Sequence, residues 1–166
     1  MQLKLSGFTE KHAKEICNWK YEGEYSIYNY PNYSRAINEK WAITIKQKRE
    51  KEFFSIVNEC NELYGYVRFQ TKEKEILVGI GLKPTLCGKE LGNVAMKLII
   101  KECAYLYPFK DIILEVRKFN KRAINCYKKA GFIEVSRYNK ETSIGPGEFI
   151  KMKFNQDGVN WWELKK

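Results

Sequence analysis

Alternation is sharpest from Ile76 to Leu82. Ile76, Val78, Ile80 and Leu82 fall on one side of an extended chain, and Leu77, Gly79 and Gly81 on the other. The spacing predicts a strand. Two glycines on one face weaken it and mark close approach by a ligand or another backbone. Pro84 and Gly88 break the extended run, so Lys83–Lys89 reads as a tight turn and Glu90–Leu106 as a helix. Leu91, Val94, Ala95, Leu98, Ile99, Cys103 and Leu106 make that helix apolar over much of its surface, as suits a helix laid on a sheet. Pro108 ends it. Lys110–Arg117 is the next strand, with Ile112, Leu114 and Val116 on one face. Strand, crossover helix and strand make a βαβ unit, so these two strands are expected to run parallel.

The flanking sequence has weaker patterns. Leu3–Phe8 reads as a short strand and Thr9 as the N-cap of a helix running to about Lys20, with Ala13, Ile16 and Cys17 at helical spacing. From Trp19 to Tyr33 a regular helix is not expected, because Gly23, Pro31 and two asparagines interrupt an aromatic stretch. Ser34 reads as the next N-cap. Ile37, Trp41 and Ile45 mark one face of a second helix that fades through a charged run to Glu52. Phe53–Val57 and Leu63–Gln70 form a hairpin, and Lys72–Glu75 is a charged turn. Asn120 reads as the cap of the last helix, on which Ala123, Cys126, Tyr127 and Ala130 share a face, with Gly131 at its C-terminal cap. Phe132–Tyr138 and Glu148–Phe154 read as a closing hairpin separated by residues 139–147. The tail, with Trp161 and Trp162, is apolar enough to pack on the core or at a subunit contact.

Composition narrows the class. The 166 residues fit one domain, 1–166, and a hydrophobic content of 44% is enough for a core. No run of 18 apolar residues is present, so no membrane span is expected. The first residues lack the apolar segment of a signal peptide. Five cysteines without C-x-x-C spacing argue against a disulfide framework and a metal site, and point to a reduced, cytoplasmic setting. The net charge of +10 draws polyanions. Nucleic acid, the phosphates of a cofactor and an acidic acceptor all remain open, as does a solvated basic surface. The lysines are scattered, with the densest run at Lys46–Lys51.

Two segments carry candidate chemistry. The turn and helix start, Cys87-Gly88-Lys89-Glu90-Leu91-Gly92, place free backbone N–H groups and a positive dipole end where an anion such as a phosphate can bind. The second runs from Asn120 through Arg122, Ala123, Ile124, Tyr127 and Lys129 to Gly131 and Phe132. Together they resemble the signature segments of the GNAT superfamily of acyl-CoA-dependent N-acyltransferases. The first resembles that family's Gln/Arg-x-x-Gly-x-Gly/Ala loop, the second its Asn-x-x-Ala-x-x-x-Tyr-x-Lys-x-Gly-Phe segment. The likeness covers roughly residues 63–154 well, and the overall look is similar to the branch containing ribosomal-protein alanine acetyltransferases, a branch that also contains many small-molecule enzymes.

The resemblance implies an α/β fold with a mixed, mostly antiparallel sheet flanked by helices. It also implies N-acetyl transfer from acetyl-CoA to a primary amine of a small molecule or a protein N-terminus. The cosubstrate's pyrophosphate would lie on Cys87, Gly88, Lys89, Glu90, Leu91, Gly92 and Asn93. Its pantetheine arm would pair with the backbone of Ile80, Gly81 and Leu82 and touch Asn120. Tyr127 would protonate the leaving thiolate, since a phenol is neutral and a proton donor at pH 7. The aromatic stretch would wall the acceptor site, with Glu24, Tyr25 and Tyr28 as substrate contacts. Glu22, Glu24, Glu115 or a water relay would take the amine's proton. No metal is needed, and a monomer or homodimer is expected. His12, the only histidine, lies far from both segments and reads as a surface residue.

Two departures qualify the likeness. Cys87 stands where the family has Gln or Arg, and Glu90 stands at the middle glycine, bringing bulk and negative charge near phosphates. CoA binding is therefore expected to survive in weakened form. The alternatives are a catalytically degenerate member that binds CoA or a partner, and a basic nucleic-acid-binding module.

Overall fold

The computed structural model describes residues 1–157 and 159. Its strands are β1 (Lys4–Gly7), β2 (Phe53–Val57), β3 (Leu63–Thr71), β4 (Glu75–Leu82), β5 (Asp111–Arg117), β6 (Phe132–Thr142) and β7 (Gly145–Phe154). Its helices are α1 (Glu10–Cys17), α2 (Tyr33–Asn38), α3 (Lys46–Glu52), α4 (Leu91–Leu106) and α5 (Lys121–Lys129). The strands form a seven-stranded open sheet in the order β1-β2-β3-β4-β5-β7-β6. The pairs β1–β2, β2–β3, β5–β7 and β6–β7 are antiparallel, and β4–β5 is parallel. The expected mixed, mostly antiparallel α/β fold with its central βαβ unit is therefore present. The chain groups into two compact units. One comprises Met1–Arg68 with Ile80–Leu91, the other Phe69–Gly79 with the described residues from Gly92 on.

In the first unit, Phe8, Ala13, Ile16, Cys17, Trp19, Ala36, Ile43, Phe53, Val57 and Leu63 form one apolar cluster. Helix α1 starts as the sequence predicts. The Thr9 hydroxyl accepts from the His12 N–H at 3.2 Å, and His12 Nδ1 accepts from the Thr9 N–H at 3.4 Å, a reciprocal capping box. His12 is half-buried rather than a surface residue. Its Nδ1 lies 2.6 Å from Ser55 Oγ, and desolvation draws its pKa below the usual imidazole value.

The expected second helix is in fact two. The cap is Asn32, whose side chain accepts from Arg35 N–H, not Ser34. Lys40 then takes φ +54, which ends α2, and a 3-10 turn over Ala42–Thr44 leads into α3. Ile37 is left exposed, whereas Ile43 is buried. Helical spacing continued across the break because Ile37, Trp41 and Ile45 lie four residues apart by coincidence of two separate turns.

In the second unit, Ile76, Ile99, Ile112, Ile113, Leu114, Ile150 and Met152 are fully buried. Each contributes roughly 1.5–3 kcal/mol relative to exposure. Helix α4 presents Ala95, Met96, Ile99, Ile100 and Cys103 inward, while Val94 and Leu106 are exposed. Burial pushes the Cys103 thiol up to about 12. The closing hairpin is longer than the pattern predicts. Strands β6 and β7 run through residues 139–147 and turn at Ser143-Ile144. Pairing of Asn139 with Glu148, Lys140 with Gly147 and Glu141 with Pro146 continues the ladder through residues whose polarity resembles a loop. Trp161 and Trp162 lie outside the described residues.

Candidate active site

Strand β4 pairs with β5 over Glu75–Leu77 with Asp111–Ile113, and β4 runs on to Leu82. In this far half the sequence expected a close approach at the glycines. The approach at Gly81 comes from β3. A side chain at Gly81 would overlap the Tyr66 ring, and one at Gly65 would lie 2.6 Å from the Gly81 carbonyl oxygen. Gly81 is therefore explained by protein packing.

The aromatic stretch is tied to the end of β4. Tyr21 donates its hydroxyl to the Leu82 carbonyl at 2.6 Å. Asn29 closes the stretch on itself, accepting from Tyr21 N–H at 2.7 Å and donating to the Tyr21 carbonyl at 3.3 Å. The Tyr30 and Tyr66 hydroxyls lie 3.3 Å apart. Burial, followed by their mutual contact, drives the Tyr66 phenol well above the usual value, and burial raises that of Tyr30. Both stay neutral. Trp19 stacks toward Tyr66 at 6.3 Å, and its buried indole N–H has no hydrogen-bond partner among the described residues. Of the residues singled out in the sequence, Glu22 and Glu24 are exposed, while Tyr25 and Tyr28 are half-buried in a 3-10 turn, Gly23–Tyr28. Sequence reasoning missed Tyr66. Its signal was the Gly65-Tyr66 pair on a strand facing a glycine-bearing neighbour.

After Leu82 the chain makes a 3-10 turn over Pro84–Leu86, with Lys83 N–H donating to the Tyr64 carbonyl at 2.9 Å. Cys87 folds back, its Sγ 3.8 Å from the Leu82 oxygen and 3.6 Å from that of Lys83. Gly88 has φ +79 and Glu90 φ +57. Only glycine adopts that region freely. Glu90 is exposed and stands before the helix rather than in its first turn, correcting the predicted start by one residue. The first turn of α4 then carries no acidic side chain, and its leading N–H groups have no intrahelical acceptor.

In the second unit, Gly92 has a packing role. A Cβ there would lie 3.0 Å from Cys126 Sγ, and Cys126 also reaches Asn93 Oδ1 at 3.6 Å. This contact seats α5 against the start of α4. Asn120 is buried, and its Oδ1 accepts from Ala123 N–H at 3.1 Å, the predicted cap. Ile124 is the buried anchor of α5, and Tyr127 is half-buried with its ring 6.2 Å from that of Phe132. Gly131, at φ +102, ends the helix as expected. Glu115 is half-buried and ion-paired to Lys140 at 2.5 Å. Burial and the Glu115 carboxylate push the Tyr138 phenol to about 12.

A glycine-bearing turn thus delivers an acid-free helix start inside the parallel βαβ unit of a mixed sheet. Residues 2–133 match the family model described as the acetyltransferase (GNAT) domain, and the chain belongs to that family. No curated protein sequence matches it. Among solved structures it is similar to an acetyltransferase of the GNAT family from Bacillus anthracis, with a TM-score of 0.74 and 13% identity over 93% of this chain and 95% of that one. It is also similar to the spermidine/spermine N-acetyltransferase SpeG from Vibrio cholerae, with a TM-score of 0.66 and 20% identity over 92% of each chain. The ribosomal-protein-S18-alanine N-acetyltransferase from Escherichia coli gives a TM-score of 0.63 and 16% identity over 95% and 99%. Such identities speak for the fold. No helix among the described residues is long and apolar enough to cross a membrane.

Proposed function

We propose that this acetyltransferase moves an acetyl group from acetyl-CoA to a primary amine on a small molecule or a protein N-terminus. The observation that carries the reading is the α4 start, which follows the turn through Cys87 to Glu90; its leading N–H groups have no intrahelical acceptor and its first turn lacks any acid. Acetyl-CoA supplies the activated thioester. The backbone amides of Leu91, Gly92 and Asn93 hold its pyrophosphate, with Cys87, Gly88, Lys89 and Glu90 shaping the turn. Ile80 and Gly81 offer β4 backbone to the pantetheine arm. The Leu82 carbonyl already accepts from Tyr21, so its pairing capacity is reduced. Asn120 contacts the arm while capping α5. Tyr127 gives its proton to the departing sulfur as the amine nitrogen takes the acetyl carbon.

The amine must first lose a proton. Glu22 and Glu24 are exposed and reach water, and Glu115 is engaged by Lys140. A water relay toward Glu22 or Glu24 therefore fits better than direct abstraction by Glu115. Tyr25 and Tyr28 share the 3-10 turn with Glu24 and contribute acceptor contacts. The acceptor class follows relatives whose names specify spermidine, spermine and an alanine of a ribosomal protein, all amines.

One observation favours the second reading, a degenerate CoA binder: the exposed Glu90 carboxylate beside the expected phosphates. Thiol release from acetyl-CoA, measured with spermidine and with alanine-initiated peptides, separates the two. Release that depends on an amine supports transfer. Acetyl-CoA binding with no release for any amine would leave the degenerate reading.

A further inference from the structure

A cavity of about 440 Å³ lies wholly within the second unit, lined by Arg117, Lys118, Phe119, Lys121, Gly147 and Glu148. Of these, Arg117 is half-buried. Arg117 lies 4.8 Å over the Phe149 ring and donates to the Thr142 hydroxyl at 3.3 Å. Among the described residues it makes no ion pair. Glu148, the one acid in the lining, is matched by Lys118 at 3.1 Å. Three cations and one carboxylate leave an excess of two positive charges, those of Arg117 and Lys121. Lys121 also opens α5, whose N-terminal end adds positive potential.

The Arg117 side chain occupies the space beside Gly147. A side chain at Gly147 would overlap Arg117 Nη1 and lie 3.0 Å from Phe149 Cε2. Glycine at 147 thus leaves the space in which the charge rests. A partly desolvated cation is costly unless an anion or strong acceptor completes it. Beside it Phe119 supplies an apolar wall.

We infer that this cavity binds the carboxylate or phosphate of a small organic anion with an apolar body, held by the Arg117 guanidinium with Lys121 in support. Placing that anion on the acetyl acceptor rests on the reading above, whereas the site itself does not.

The test is calorimetric titration with phenyl phosphate and benzoate, with benzylamine as the cationic control. The wild-type protein is expected to bind both anions, more weakly at high salt, and not benzylamine. Arg117→Gln is expected to weaken phenyl phosphate binding about tenfold or more, as loss of a charge-assisted hydrogen bond does. Gly147→Ala, which crowds the guanidinium, takes its place if Arg117→Gln does not fold. No anion binding by the wild type, equal binding of benzylamine, or unchanged affinity in the deciding variant would overturn the site.

The anion's source is read separately. If Arg117→Gln weakens acetyl-CoA but not its 3′-dephospho form, the anion is the cosubstrate's phosphate. If it leaves acetyl-CoA unchanged and raises KM only for amines bearing an acid group, the anion belongs to the acceptor. A protein that binds phenyl phosphate yet transfers no acetyl group would refute the enzymatic reading and leave the site standing.

Discussion

The turn at Cys87–Gly92 and the segment Asn120–Phe132 are the two stretches that resemble the family, and they are built differently. In the second, each residue suits its local geometry. Asn120 caps the helix, Ile124 is buried, and Gly131 takes φ +102, where glycine is favoured. In the first, Gly88 suits its φ of +79, but Glu90 occupies φ +57 with a bulky charged side chain. A non-glycine residue held there costs roughly 1–2 kcal/mol. The comparison teaches that a helix segment can be read from its own sequence, whereas the turn carries a local conflict, a charged residue at a glycine-favoured φ.

Breaking the second segment should give the larger effects. Tyr127→Phe removes a proton donor while keeping the ring against Phe132. Amine-dependent thiol release is expected to fall about 100-fold or more, with acetyl-CoA affinity unchanged. An unaltered rate would remove Tyr127 from the chemistry. Next, Gly131→Ala must adopt φ +102 with its Cβ 3.0 Å from the Phe154 ring. A destabilisation of roughly 1–3 kcal/mol is expected in chemical denaturation, and a neutral result would show that the C-terminal end of α5 relaxes freely.

The turn should respond in the opposite sense. Glu90→Gly relieves the left-handed strain, so stability should rise by about 1 kcal/mol. Removing the carboxylate should also tighten acetyl-CoA severalfold. A gain in stability without a gain in affinity would show that the carboxylate is turned away from the phosphates. The smallest effect concerns His12. Its folded pKa is lowered, so protonation favours unfolding; stability should be intact above the unfolded value near 6.5 and decline as pH falls below it. Thermal melts from pH 7.5 to 5, compared with His12→Gln, would show this slope lost in the variant.

The central βαβ unit, the β2–β3 hairpin, the Thr9 and Asn120 caps and the Gly131 terminus were legible, because each rests on residues adjacent in sequence. What escaped depends on distant packing or on backbone geometry. The break at Lys40 hid beneath continuous helical spacing. The reason for Gly81 required knowing that Tyr66 lies across it on β3. Gly81 was correctly read as marking close approach, and the approach is by protein. Likewise Gly147 has no local motif, and its meaning appears only when Arg117 is seen to occupy its missing side chain.

The central claim is that the α4 start and its turn hold acetyl-CoA despite Glu90. The most direct test is the melting temperature at fixed protein and salt, with and without acetyl-CoA. At a ligand concentration near 100 times Kd, binding adds about 2.7 kcal/mol, and for a chain of this size that is a rise of roughly 5–10 °C. Such a rise, absent with duplex DNA, is the predicted result. No rise at millimolar acetyl-CoA would contradict the account and leave the family likeness purely architectural.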